Sequence, residues 1–134
     1  MCATYYARTS DHGYETCAEH LAMAGCLAGG FAKGFGYLDD GLLAGLVHDL
    51  GKYSDAFQRR IRNPDHCGPV DHSTAGALLL MRHVCPLAAM AVAGHHAGLP
   101  DLGSYGELEG STFMSRMNRA RRSGDCNPLA LAQA

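Results

Sequence analysis

The sequence predicts an all-α domain, and three observations lead there. Segments rich in Ala, Leu and Met follow residues able to cap a helix and are closed by Gly, Asn-Pro or Pro. No run shows the period-two alternation of apolar and polar residues that a half-buried strand requires. The 134 residues, 47% of them hydrophobic, suffice for one domain with its own core and are too few for two.

The elements follow in order. A first helix is expected from Tyr14 to about Phe35, with Gly29 and Gly30 a weak point late in it. Asp39 or Asp40 can cap a second, running to Leu50 and stopped by Gly51. Ser54 can cap a third, Asp55–Arg62, ended by Asn63-Pro64, and residues 63–71 read as a turn-rich loop. Ser73 can cap Thr74–His83. Pro86 suits the first turn of Leu87–His96, which Gly98 and Pro100 close. Gly and Ser punctuate residues 98–111, and a last helix is expected from Ser111 to Arg122. No internal repeat is evident.

A formal net charge of -2 argues against a protein whose whole surface attracts nucleic acid, so any such contact must be a local patch or a metal. The cysteines, Cys2, Cys17, Cys26, Cys67, Cys85 and Cys126, contain no CxxC pair and follow no secretory leader. They read as free thiols in a reducing cytoplasm. Every apolar run is interrupted before membrane-spanning length.

The segment Gly41-Leu-Leu-Ala-Gly-Leu-Val-His48-Asp49-Leu-Gly-Lys52 carries the most information. On a helical wheel Leu43, Leu46, Val47 and Leu50 share one face, while His48 and Asp49 straddle the other beside Gly41 and Gly45. With only small residues on that second face, the helix is expected to be buried on both sides. A buried carboxylate must be paired or bind a metal. A satisfied His–Asp hydrogen bond and a metal site are both compatible with this segment alone.

The other histidines favour the metal. His20 lies inside the first apolar helix, His72 starts a small-residue helix, and His95-His96 end another. Five imidazoles from four helices, with Asp49, form a pattern of convergent ligands in a helical bundle. His12, His66 and His83 sit in polar or terminal contexts and are expected at the surface. Arg116, Arg119, Arg121 and Arg122 form a basic run that suits either a single-stranded DNA backbone or a solvated helix face.

The ordered residues His20, His48-Asp49, His72 and His95-His96 resemble the HD superfamily of metal phosphohydrolases. The wording "LAGLVHDLGKYSDAFQRRI", "VDHSTAGALLL" and "AGHHAGLPD" is more specific. It resembles the HD nuclease domain of the CRISPR-associated helicase–nuclease of type I systems, over roughly residues 20–101. The resemblance implies an HD-type helical bundle over residues 1–134, a cytoplasmic setting and cleavage of single-stranded DNA. It implies partnership with a helicase and an RNA-guided surveillance complex. It further implies two metal ions bridged by Asp49, one on His20 and His48, the other on His72, His95 and His96. Imidazole ligands suit Mn, Fe, Co, Ni or Zn better than Mg. Lys52 would then approach the scissile phosphate, the plain alternative being a solvated lysine past a helix end. His48, Asp49 and Lys52 are the expected catalytic group.

One departure stands out. The family supplies a further metal-binding Asp well downstream of the paired histidines, and neither Asp101 nor Asp125 matches it well. The domain is therefore expected to be incomplete at its C-terminal side. No Walker-type phosphate loop is present, so no helicase part is expected within these residues. Two other readings remain at this point: an HD phosphohydrolase of nucleotides or cyclic dinucleotides, and a catalytically weak HD domain serving as a binding module.

Overall fold

A computed structural model describes residues 4–11, 13–83 and 85–124. The fold is mostly helical, as the sequence predicts, with one addition at the start. Strands β1 (Tyr6–Ser10) and β2 (Gly13–Thr16) form an antiparallel hairpin, with an irregularity between Tyr6 and Arg8. The helix expected from Tyr14 therefore begins three residues later. The hairpin escapes a period-two search because both strands are short and largely exposed. It is held by the tilted rings of Tyr6 and Tyr14, 4.7 Å apart, and by the Arg8–Glu15 ion pair.

Helix α1 (Cys17–Lys33) starts at a capping box: Glu19 N donates to Thr16 Oγ1, and Thr16 N donates back to the Glu19 carboxylate. Helix α2 (Leu38–Val47) follows, with Asp39 and Asp40 in its first turn, where their charge favours the helix dipole, and not as its cap. It ends before His48, short of the expected Leu50. His48 and Asp49 thus lie in a turn, followed by a 3-10 turn, Leu50–Tyr53.

The α1–α2 interface corrects the expectation that α2 is buried on both sides. Leu43 and Leu46 remain 42% and 37% exposed. The small-residue face is the one that packs. A Cβ on Gly45 would lie 2.5 Å from Ala24 O and 2.6 Å from Gly25 Cα, and one on Gly41 would lie 2.6 Å from Ala28 O. Backbone-to-backbone approach of this kind leaves the leucines at the edge of the interface, Leu46 lying beside Gly25 of α1 while staying partly exposed.

Helix α3 (Asp55–Arg62) is capped by Ser54, whose hydroxyl accepts from Phe57 N, as expected. A 3-10 turn, Pro64–His66, leads into the loop before α4 (Thr74–Arg82). Ser73 does not cap α4. The Asp71 carboxylate does, accepting from the amides of Ser73 and Thr74 at 3.1 Å each. Helix α5 (Pro86–Gly94) ends two residues before its expected end, leaving His95 and His96 in the following turn. Helix α6 (Phe113–Ser123) is capped by Thr112 and closed by Gly124 in the left-handed region at φ 71°. Helices α4, α5 and α6 enclose the main core, built on Leu78, Leu80, Val92, Phe113 and Met117.

Candidate metal centre

Asp49 is the focus of the site. It is 3% exposed, and its two carboxylate oxygens face different parts of the fold. Oδ2 lies 3.0 Å from His20 Nε2, 3.2 Å from His48 Nε2 and 2.6 Å from Lys52 Nζ. Oδ1 lies 3.2 Å from His95 Nε2 and 3.5 Å from His72 Nε2. His96 completes the group through its Nε2, 2.7 Å from that of His72. The imidazoles come from the interior of α1, the turn after α2, the residue before the α4 N-cap and the turn after α5.

A consistent tie-back fixes the rings. His48 Nδ1 lies 2.8 Å from Gly45 O, His72 Nδ1 3.0 Å from Val70 O, and His95 Nδ1 2.7 Å from Val92 O. His20 turns its Nδ1 toward Glu15, at 3.4 Å. A carbonyl only accepts, so the Nδ1 atoms of His48, His72 and His95 carry the proton and donate it. Nε2 is left to face Asp49. Outer bonds of this kind are what orient imidazole ligands in metal sites.

The arrangement is suited to a cation. If the four Nε2 atoms were unprotonated, their lone pairs would face carboxylate lone pairs; if all were protonated, four imidazolium charges and Lys52 would crowd one Asp. A metal ion could take up these converging donors. Burial alone would raise the Asp49 carboxyl, but hydrogen bonds from His48, His95 and Lys52 hold it far below the usual carboxylate range. The bond to Asp49 raises His95 above an ordinary imidazole against the effect of burial, while burial and the neighbouring His95 and His72 charges lower His96.

Two donor sets can hold an ion: Asp49 with His72, His95 and His96, and Asp49 with His20 and His48. Within each, the ligand atoms lie within 4.8 Å of one another. Every imidazole expected from the sequence is thus in one cluster, and Lys52 points into it. His66 and His83 are exposed, as expected, and His12 lies outside the described residues. Among the described residues no second carboxylate joins either set. Asp101 lies in the exposed loop before α6, its carbonyl accepting from Phe113 N, and Asp125 lies outside the described residues.

The basic run divides. Arg116 and Arg119 are committed to bonds within the chain, Arg119 to the carbonyls of Leu108 and Gly110 at 2.8 Å each. Arg121 and Arg122 are exposed.

Three supporting residues were not singled out by sequence. Buried Gln58 accepts from Tyr6 N and donates to the carbonyls of Tyr6 and Lys52, fastening the Lys52 turn to the hairpin. Glu15 backs His20, and Asp71 caps α4 directly beside His72. Gly51 permits the closest backbone approach near the site: its amide donates to His72 O at 3.0 Å, and a Cβ there would lie 2.6 Å from His72 Cα.

The cluster is reached from two sides. A cleft lined by Ala24, Ala28, Ala44 and Ala91 opens on His48 and His95. A second, lined by Pro69, Asp71, Ser73 and Arg116, opens on His72 and His96. The four described cysteines, Cys17, Cys26, Cys67 and Cys85, are free, and no described helix is long and apolar enough to cross a membrane. No protein-family model matches this chain, and no curated protein matches it. The fold and site define a helical domain with a His/Asp cluster able to hold a metal ion.

Proposed function

We propose that this chain is a metal-dependent phosphodiesterase of the HD type, cutting single-stranded DNA in CRISPR-associated defence. The observation that carries the reading is the meeting of His20, His48, His72 and His95 on the two oxygens of Asp49 through their Nε2 atoms, with the Nδ1 atoms of His48, His72 and His95 tied back to carbonyls. These are the residues on which the sequence resembles the HD nuclease domain, in the same order.

In this reading transition-metal ions would be held by two donor sets that share Asp49, one with His20 and His48, the other with His72, His95 and His96. When bound, such ions would supply an activated water and Lewis-acid stabilisation for displacement at phosphorus. The protein's own groups do the rest. Lys52 holds a positive charge at the site, where it offsets charge growing on the phosphoryl oxygens. The tie-backs keep each ring from swinging away. Arg121 and Arg122 offer exposed charge for a strand backbone, and a helicase and an RNA-guided surveillance complex are the proposed partners.

The test is a substrate panel on metal-stripped protein reloaded with Mn, Co, Ni or Mg. Cleavage of single-stranded DNA with the first three, abolished by chelation, is expected. Hydrolysis confined to nucleotides or cyclic dinucleotides would move the chain to another branch of metal phosphohydrolases. Metal binding without hydrolysis of any substrate would make it a binding module.

A further inference from the structure

Arg116 joins the two halves of one donor set. Its Nη2 lies 3.0 and 3.1 Å from the two oxygens of Asp71 and 2.6 Å from Ser73 Oγ. Its Nε lies 2.6 Å from Thr74 Oγ1, and its Nη1 2.7 Å from Ala93 O. Thr74 in turn donates its hydroxyl to Asp71. One rigid guanidinium fork from α6 therefore grips both the start of α4 and the end of α5.

Each grip answers a need of the helix it touches. The first amides of α4 lack partners within their helix, and Asp71 takes two of them, so Arg116 neutralises a carboxylate already fixed at that terminus. Ala93 O belongs to the last turn of α5, where carbonyls lack partners and a cation is favoured. His72 lies between Asp71 and Ser73, while His95 and His96 follow Ala93 by two and three residues. The distance from His72 to the paired histidines is thus spanned by a single side chain. Lysine cannot reproduce it, because an ammonium lacks the planar fork.

We propose that Arg116 is a positioning residue that sets the geometry of His72 against His95 and His96 and has no part in holding His20 and His48. The inference rests on the metal-centre reading for its consequence but not for its geometry, and the test separates the two. Nitrogen-15 histidine spectra of the metal-free full chain report which ring nitrogen carries the proton. In the unsubstituted protein His48, His72 and His95 should each show a fixed Nδ1 proton. In Arg116→Ala, His72 and His95 should lose that fixed form while His48 keeps its own, and millimolar methylguanidinium should restore it.

Cobalt titration of the same samples should show binding about 10–100-fold weaker in the variant, the usual effect of removing a group that orients ligands. Wild-type-like signals for all three rings in Arg116→Ala would overturn the proposal. So would an equal change in all three, which marks general loosening. Should Arg116→Ala not fold, Arg116→Lys decides: signals identical to the unsubstituted protein overturn the proposal, and loss at His72 and His95 alone supports it. If the unsubstituted chain shows fixed rings but takes up no cobalt, the metal reading fails and the positioning role stands.

Discussion

The Lys52 ammonium lies 2.6 Å from the Asp49 carboxylate, on the oxygen that also faces His20 and His48. Its side chain is 11% exposed and passes over the Phe57 ring at 5.5 Å. That is not the placement of a solvated lysine beyond a helix end. Gln58 fixes the backbone of this turn by donating to Lys52 O at 2.7 Å.

On the proposed phosphodiesterase reading, Lys52→Ala should lower single-turnover cleavage by on the order of 10²–10³, the usual effect of removing one electrostatic donor from a transition state. Metal content should be unchanged. Cleavage and metal analysis on one preparation check both halves, and an unaltered rate would return Lys52 to an ion-pair role.

Gly51→Ala tests the backbone junction that sets His72 against Asp49. The added Cβ would meet His72 Cα at 2.6 Å and His72 O at 2.7 Å, and backbone atoms yield poorly. Thermal unfolding should show destabilisation of about 1–3 kcal/mol, the range for overpacking. Cobalt affinity should fall as well. A variant with unchanged unfolding and affinity would mean the junction relaxes freely.

The site was more legible than the frame that holds it. His20, His48, Asp49, Lys52, His72, His95 and His96 stand out because imidazoles among Ala, Gly and Leu need a reason, and each is at the cluster. The helix termini carrying them were read less well. Ser73 looks like a cap, but the acceptor comes from Asp71, two residues earlier, and no local rule separates the two. The hairpin was hidden by its exposure, and the exposed Leu43 and Leu46 by a helical wheel that cannot tell which of two packable faces meets a neighbour. Arg116 reads as part of a surface run, and only tertiary structure turns it inward.

The cysteines offer a check on the fold independent of metal. Cys17 is buried, and burial pushes its thiol up to about 11, whereas Cys26 on the same helix is exposed. At mildly alkaline pH iodoacetamide should alkylate Cys26 quickly and leave Cys17 unmodified until the protein unfolds, since only the thiolate reacts. Peptide mass mapping over time reads the order. Equal rates would contradict the placement of α1 against the hairpin.

The central claim is that Asp49 and its imidazoles bind metal, and calorimetric titration of metal-free protein with Co²⁺ tests it most directly. The set with His72, His95 and His96 offers three imidazoles and the shared carboxylate, while the set with His20 and His48 offers two. One tight event followed by a distinctly weaker one is the expected result, with the tight event abolished in Asp49→Ala while its helical circular-dichroism spectrum persists. No binding in the unsubstituted protein, or binding unchanged in folded Asp49→Ala, would contradict the account.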